Sequence, residues 1–507
     1  MRFSPLAPTR RALIRGLFCV LIPALAAAPL RAQPVGAPTM GPASAGDLSP
    51  ALERRLGEAI MIEGRRDPDY IGDPDIVQYL NTMGHRLTSN APGGAPDIEV
   101  FGVRDPVINA FAMPGGFIGL NTGLIVAAGA ESEVAGVLAH EIAHVTQRHI
   151  ARGLTQQSQN MHLALATIAA TVLAAMLPGA AGLAPGVLAF GQAAMMERQL
   201  GFSRDAEQEA DRAGFEMLAK SGYDPNGMTE MFGRLMNAAR LNEGMGGGAF
   251  VSTHPLSIQR MSDMQNRARQ LSVGQYRSSD EFWFVRAKSR LIQATDPKAT
   301  RQAVELMQEE TRSTAQGAGD AAKRSAAWYG LSIAALQRND LKDAIRTLKL
   351  AEAGMPASPY LDLQRVEIEM AGPDKAAALA SARAGLKRWP DRRAFGLKVV
   401  QCLQLLQKDR EAVAFLQEQI KRWSNREASF YQLMAVSQDR LGDPVAARQS
   451  MASYYRLIGA LPAAVTQLQQ ARTISQDFYL QSQIDVEIRS LREKIAEDRR
   501  LLERFRS

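Results

Sequence analysis

Short polar turns recur at a regular spacing in the C-terminal half of the chain. They carry four aspartates that lie 34 or 35 residues apart, namely Asp340, Asp374, Asp409 and Asp443. Each aspartate is followed four residues later by a small or apolar residue, as expected for a helix that begins at the turn and packs on one face. A period near 34 residues is that of tetratricopeptide (TPR) helix pairs. The spacing predicts a TPR-like α-solenoid over residues 275–507, with a generic helical bundle as the alternative.

The first 47 residues differ in composition from the rest of the chain. Residues 1–32 combine arginines, an apolar stretch and small residues near the end, a pattern typical of a signal peptide. The apolar stretch is shorter than the roughly 20 residues of a membrane span, and an uncleaved anchor is the alternative. Residues 33–47 are rich in Pro, Gly and Ala and predict a flexible leader. We therefore expect an exported protein that begins to fold near residue 48.

The charge of the chain argues against nucleic acid as a partner. The formal net charge is +7, but five arginines of the predicted signal peptide contribute to it, and that segment contains no Asp or Glu. The remaining chain is close to neutral, at about +2. Binding of nucleic acid normally needs a clustered basic face. We expect no nucleic-acid partner.

Helical patterns dominate residues 48–270, and one group of short β-like runs lies among them. The runs span residues 98–103, 107–112 and 117–120, with the turn Pro114-Gly115-Gly116 before the last. We therefore expect a mainly α domain that contains a small β-sheet.

Residues 161–196 are almost uncharged and contain two apolar stretches. A membrane hairpin is one interpretation. The first stretch has only about 16 apolar residues, fewer than a span needs. We favour a buried helix or a peripheral contact with a membrane surface.

The most informative motif is the segment from His140 to His144, with the sequence HEIAH. Residues i and i+4 of a helix share a face, so both imidazoles can bind one metal ion, with Glu141 beside the position of a metal-bound water. Zinc lowers the pKa of such a water to about 7, and a neighbouring carboxylate can then take its proton. The motif predicts a zinc hydrolase. The alternative is two histidines on a helix face that happen to flank a glutamate.

A catalytic zinc ion needs a third protein ligand. The metzincin pattern is excluded, because Gln147 and Ile150 occupy the positions of its glycine and its third histidine. His149 lies nine residues after His140. On a continuous helix this spacing carries it to the opposite face, so we expect His149 at the surface.

A second helix with an acidic start, beginning at Ser203, supplies the other route to a third ligand. Glu207 and Asp211 share one face of it, whereas Glu209 points elsewhere. Glu207 is the predicted metal ligand, and Asp211 is expected to orient a zinc-bound histidine through its free ring nitrogen. Taken alone, acidic residues at the start of a helix often only stabilise the helix by interacting favourably with its dipole. The upstream motif favours the metal ligand.

Together these segments resemble the gluzincin peptidases, which include the prenyl-protein CAAX endopeptidase, HtpX and the BepA-like periplasmic proteases with a TPR tail. The likeness covers nearly the whole mature chain. It rests on the two motifs above, the repeats, the segment from Asn109 to Gly116 and the segment Thr253-His254-Pro255. It implies a gluzincin-type metallopeptidase domain at 48–270, followed by the solenoid.

The resemblance also implies roles for single residues. His140, His144 and Glu207 would bind one Zn²⁺ per chain, and Glu141 would be the general base and acid. His254 would occupy the open zinc position and hold the enzyme latent; otherwise it is a loop histidine without a metal contact.

A strand at the sheet edge would receive an extended substrate by adding it as a further strand. Its residues would be Asn109, Ala110, Phe111 and Ala112. Their alternative role is to pack a small sheet.

At the level of the cell, the resemblance implies a periplasmic endopeptidase that acts on misfolded or unassembled envelope proteins. The TPR-like domain would contact the outer-membrane assembly machinery. Two other functions stay open: a chaperone-like scaffold whose protease site is largely latent, and a membrane-embedded protease that depends on residues 161–196.

Overall fold

The computed structural model describes residues 49–92, 94, 97–156, 202–241, 250, 253–271, 276, 278–312, 320–355, 357–423 and 427–503. The predicted signal peptide, the predicted leader and residues 161–196 lie outside these ranges, so their predictions stay untested. Within the described ranges, no helix has both the length and the hydrophobicity that crossing a membrane requires.

Two capped helices begin the fold. Helix α1 (Pro50–Gly64) follows Ser49, and α2 (Pro74–Thr88) follows Asp73. Both capping side chains accept hydrogen bonds from backbone N–H groups of the first turn, which satisfies donors that a helix start otherwise leaves unpaired. A short strand, β1 (Tyr70–Ile71), lies between the helices and was not predicted.

The predicted small sheet is confirmed, and the described residues contribute four strands to it. After β1 come β2 (Glu99–Val103), β3 (Ala110–Met113) and β4 (Phe117–Asn121). The order across the sheet is β1-β2-β4-β3, with β2 and β4 parallel and the other pairs antiparallel. Of the described strands, β3 is therefore an outer one, and a turn that contains two glycines joins it to β4.

Further helices follow the sheet in the described part of the chain. They are α3 (Thr122–Ala127), α4 (Glu131–Thr146), α5 (His149–Gln156), α6 (Arg204–Lys220), α7 (Asn226–Leu241) and α8 (Ile258–Gln270). Helix α4 is central, because it packs against α2, α6, α7 and β3. Every residue of α4 from Glu131 to His144 is buried.

The described C-terminal region consists mainly of further helices, and each packs against its neighbour in the chain. They are α9 (Asp280–Ile292), α10 (Pro297–Arg312), α11 (Asp320–Gln337), α12 (Leu341–Gly354), α13 (Pro359–Ala371), α14 (Lys375–Arg388), α15 (Arg393–Leu405), α16 (Asp409–Arg422), α17 (Ala428–Arg440), α18 (Pro444–Leu457), α19 (Leu461–Ile474) and α20 (Phe478–Glu503). The predicted helical repeat is confirmed.

The recurring aspartates mark the starts of alternate helices. Asp340, Asp374 and Asp443 are the N-caps of α12, α14 and α18, and each side chain accepts a backbone N–H three residues later. Asp409 is the first residue of α16. The sequence period is therefore a period of helix starts, three of which are capped by the aspartate.

Buried polar contacts join the C-terminal helices to the first part of the fold. Glu131, at the start of α4, accepts hydrogen bonds from the hydroxyl of Tyr79 and from the backbone and side chain of Ser279. Lys288 of α9 lies 2.6 Å from Asp73 and 3.1 Å from Asp75. One hydrophobic core also continues from the sheet and α4 into α9 to α13. The predicted domain boundary, between residues 270 and 275, falls largely outside the described residues.

Candidate metal centre

The two helices that carry the predicted ligands lie unusually close together. Gly214 of α6 faces the backbone of α4, where a Cβ atom would lie 2.9 Å from the oxygen of Ala139 and 3.0 Å from the nitrogen of His140. The glycine therefore permits a backbone approach that a larger residue would obstruct. This approach brings Glu207 of α6 beside the histidines of α4.

His140, His144 and Glu207 converge on one point inside the protein. The Nε2 atoms of His140 and His144 are 3.1 Å apart. The carboxylate of Glu207 lies 3.5 Å from Nε2 of His140 and 3.6 Å from Nε2 of His144. Glu141 is also fully buried.

His254 approaches the same point from a different segment. Its Nδ1 lies 2.9 Å from Glu207 and 3.4 Å from Nε2 of His140. Its Nε2 lies 3.6 Å from Oε1 of Glu141. The ring stacks on Phe250, with ring centres 4.6 Å apart. His254 thus contacts both the ligand cluster and the predicted catalytic base.

These side chains offer the kinds of ligand atom that zinc prefers. His140, His144, Glu207 and His254 each offer one ligand atom, and these four atoms lie within 4.8 Å of one another. Bonds of about 2.0–2.1 Å at tetrahedral angles place neighbouring ligand atoms about 3.3 Å apart. The separations in the cluster scatter around that value. Three imidazoles and one carboxylate are a ligand combination that suits zinc.

Asp211 and a residue that the sequence did not indicate, Arg260, support the ligands. Asp211 lies 3.1 Å from Nδ1 of His140, the ring nitrogen turned away from the cluster. Arg260 donates to both oxygens of Asp211, at 2.6 and 2.7 Å, and lies 2.7 Å from Glu207. Arg260 lies on α8 without any motif around it. The sequence feature that could have pointed to Arg260 is its position on the helix that follows Thr253-His254-Pro255.

Electrostatics keep both carboxylates ionised. Burial alone would raise the pKa of Asp211, but hydrogen bonds from Arg260 and His140 bring it below its usual range. Burial likewise opposes ionisation of Glu207, yet the neighbouring His254 and His140 hold its pKa far below normal. Burial lowers the pKa of His144, and the charge of His140 lowers it further. Ionised carboxylates and neutral imidazoles are the forms that bind metal, so these shifts favour binding by Glu207 and His144. Burial opposes protonation of His140, but Asp211 and Glu207 raise its pKa, so a metal ion would displace a proton there.

The expectation that His149 lies at the surface is wrong. Helix α4 ends at Thr146, and Arg148 adopts a left-handed conformation with φ 53° before α5 begins. This break turns His149 back toward the cluster, where it is buried with 2% exposure. Its Nδ1 lies 2.9 Å from Nδ1 of His144, and its Nε2 lies 3.2 Å from Glu209. The prediction assumed a continuous helix. The sequence has no glycine or proline at the interruption that would indicate a break.

The predicted substrate strand lies at the sheet edge. Ala110, Phe111 and Ala112 are in β3, which pairs with β4 on one side and has no strand partner among the described residues on the other. Asn109 precedes the strand and is buried. A cavity of about 750 Å³ lies at this end, lined by Asn109 and Phe111 and by residues of α9 and α10.

The site contains two histidines on one helix, a glutamate between them in sequence, and a carboxylate from a second helix. Together these groups define a metallopeptidase centre. In agreement, residues 76–268 match peptidase family M48. The chain is 33% identical to a beta-barrel assembly-enhancing protease of Escherichia coli O157:H7, over 64% of this chain and 65% of that protein. It is 31% identical to the protein of that name from Yersinia pestis, over 70% of both chains.

A more distant relative is the mitochondrial metalloendopeptidase OMA1 of Arabidopsis thaliana, 32% identical over 36% of this chain and 33% of that protein. The chain therefore belongs to the M48 metallopeptidases and resembles the beta-barrel assembly-enhancing proteases among them. It matches just under two thirds of the length of the Escherichia coli relative.

Proposed function

We propose that this protein is a zinc-dependent endopeptidase of the bacterial periplasm that degrades misfolded or stalled outer-membrane proteins. The observation that carries the proposal is the convergence of His140, His144 and Glu207 around one point, with Glu141 beside them. These three residues would hold one zinc ion per chain. The predicted export signal supports the periplasmic location, and a role in beta-barrel assembly, for which relatives are named, is compatible with it.

When bound, zinc would polarise the scissile carbonyl group and lower the pKa of the attacking water. Glu141 would take a proton from that water on a carboxylate oxygen and pass it to the departing amine. Its burial withholds competing solvent, and its position one residue after His140 fixes it beside the ligands. Asp211 would keep His140 oriented through Nδ1.

Substrate recognition is proposed for the edge strand. Among the described residues β3 is an outer strand of the sheet, and an extended peptide can bind such a strand by adding to the sheet through backbone hydrogen bonds. Backbone hydrogen bonds distinguish little between side chains, so broad specificity follows. An unfolded polypeptide presents extended segments whose backbone groups are available, whereas the strands of a folded barrel are hydrogen-bonded to one another.

Latency is proposed through His254. A fourth protein ligand would occupy the place that catalysis requires to be open. His254 contacts Glu207 and also lies 3.6 Å from Glu141, so it would block the metal and engage the base together. Release of His254 would then be the step that activates the enzyme.

The C-terminal helices are proposed to bind partner proteins. Stacked helix pairs form extended surfaces for protein recognition. Two of the relatives described above are named for enhancing beta-barrel assembly, and on this basis we place the outer-membrane assembly machinery among the partners. Peripheral membrane contact through residues 161–196 is a further element of the proposal.

A second candidate is a chaperone-like scaffold whose protease site stays latent. The position of His254 favours it, because a cluster closed by four protein ligands has no open coordination place. The two candidates differ in whether Glu141 matters.

The test replaces Glu141 with Gln, in the parent chain and in a His254→Ala background. Loss of general acid–base catalysis should lower cleavage of an unfolded outer-membrane barrel protein by about 10²- to 10⁴-fold, with zinc content unchanged. Glu216→Gln, an exposed change on α6, is the matched control. If Glu141→Gln leaves substrate turnover and barrel assembly as they are, the endopeptidase proposal fails and the scaffold is favoured.

A further inference from the structure

We propose that His149 and Glu209 form a hydrogen-bonded chain that orients His144 for the metal. The inference rests on the proposed metal site and adds two positioning residues to it. It also implies that the two metal-binding imidazoles are supported by different means. His140 contacts a carboxylate directly, whereas His144 reaches one through a second histidine.

The geometry places the three residues in a line. Nδ1 of His149 lies 2.9 Å from Nδ1 of His144, and Nε2 of His149 lies 3.2 Å from Oε2 of Glu209. His144 is fully buried and His149 is 2% exposed. Water therefore cannot easily substitute for the link between His144 and His149. Arg152 forms an ion pair with Glu209, the last residue of this chain of contacts, with its guanidinium 3.0 Å from Oε2.

The direction of each hydrogen bond follows from the chemistry of imidazole. A neutral histidine that binds metal through Nε2 carries its hydrogen on Nδ1. His144 must then donate to His149, so His149 accepts on Nδ1 and carries its own hydrogen on Nε2. That hydrogen is donated to Glu209. Each link has one donor and one acceptor, so the chain is consistent from the metal ligand to the carboxylate.

The local backbone is shaped to make this contact. The left-handed residue Arg148 ends one helix and permits the next to begin at His149. A continuous helix would carry His149 away from His144. The ring of Phe202 packs against His144, with ring centres 4.1 Å apart, and limits its rotation. Packing and hydrogen bonding thus fix the same ring orientation.

A positioning role differs from a packing role in what can replace His149. Gln can accept from His144 through its oxygen and donate to Glu209 through its nitrogen. Leu fills space but can do neither. If His149 only fills space, Leu should serve at least as well as Gln. If it orients His144, Gln should preserve metal binding and Leu should not.

The experiment measures zinc affinity of the full-length chain by competition with a chelator, and the visible spectrum of the cobalt-substituted protein. His149→Leu should weaken zinc binding by about 10- to 100-fold and alter the cobalt spectrum. His149→Gln should stay close to the parent in both. His85→Leu, at an exposed histidine of α2, is the matched control and should change neither.

A second pair of variants does not disturb the interior. Glu209 is 36% exposed at its side chain, so Glu209→Leu should fold while breaking the end of the chain. It should weaken zinc binding, and Glu209→Gln, which still accepts from His149, should restore most of it. Parent-like affinity in both Leu variants, or equal losses with Leu and Gln, would overturn the inference. If the parent itself binds no zinc, the proposed function has failed instead.

Discussion

Arg260 donates two hydrogen bonds to Asp211, at 2.6 and 2.7 Å, in the interior of the protein. Asp211 in turn contacts His140, and Arg260 also reaches Glu207. One arginine from α8 thereby forms ion pairs with two buried carboxylates of α6. The relationship explains how two acids can share one face of a buried helix.

Replacing Arg260 with Met should be strongly destabilising. It would leave two buried carboxylates without their cation, a loss worth about 3–5 kcal/mol. Zinc affinity should also fall, because Asp211 would no longer be held against His140. Chemical unfolding and chelator competition measure the two effects. Arg267→Met, on the exposed side of the same helix, is the control, and similar results for both variants would contradict the role given to Arg260.

Gly214→Ala should widen the gap between the two ligand helices. The added methyl group would lie within 3.0 Å of the α4 backbone, so α6 must shift away and take Glu207 with it. We expect a loss of about 1–3 kcal/mol in the free energy of unfolding and weaker zinc binding. Gly233→Ala on α7 is the control, since a Cβ there meets nothing within 4 Å. Equal effects of the two substitutions would show that close helix approach does not set the site.

His254→Ala should raise proteolysis. If the closed arrangement outnumbers the open one by ten to one, removing it raises cleavage by about tenfold. Cleavage of an unfolded barrel protein by the purified chain measures the effect, and His85→Ala controls for loss of a histidine elsewhere. Unchanged or slower cleavage would count against latency through this residue.

The contact between Glu310 and two arginines should make stability depend on pH. Burial raises the pKa of Glu310, but Arg290 and Arg286 lower it more, so the net pKa lies below normal. Such a group stabilises the fold above its unfolded pKa of about 4.3, and the contribution is lost as pH falls through the lower, folded-state pKa.

Glu310→Gln should therefore lower the thermal midpoint at pH 7 and lower it less near pH 3. At neutral pH the cost should be about 1–3 kcal/mol, as for hydrogen bonds to charged groups. Thermal unfolding at both values checks it. If Glu310→Gln lowers the thermal midpoint by the same amount at both pH values, the result would contradict an ion pair between Glu310 of α10 and the arginines of α9.

Local patterns accounted for much of the fold. The recurring aspartates were predictable because each lies at the start of a helix, three of them as N-caps, and a helix start depends on a few neighbouring residues. The short strands were predictable from the turn around Gly115. Strand β1 was missed because two residues carry no periodicity.

The site was predictable where one helix supplied the geometry. His140 and His144 share a helix face, and so do Glu207 and Asp211, so spacing alone paired them. Arg260 was not predictable, because its role depends on how α8 packs against α6. His149 was misplaced because a single residue, Arg148, leaves the helical conformation. Among non-glycine residues, Asn and Asp are especially common in that conformation, so an arginine at this position did not indicate a helix break.

The most direct test counts zinc per chain in His254→Ala and in the double variant His254→Ala, Glu207→Ala, where the loop histidine cannot replace the lost carboxylate. After dialysis against a weak chelator, the first should retain one zinc ion per folded chain and the second close to none. A well-folded His254→Ala protein without stoichiometric zinc, or equal zinc in both variants, would contradict the account.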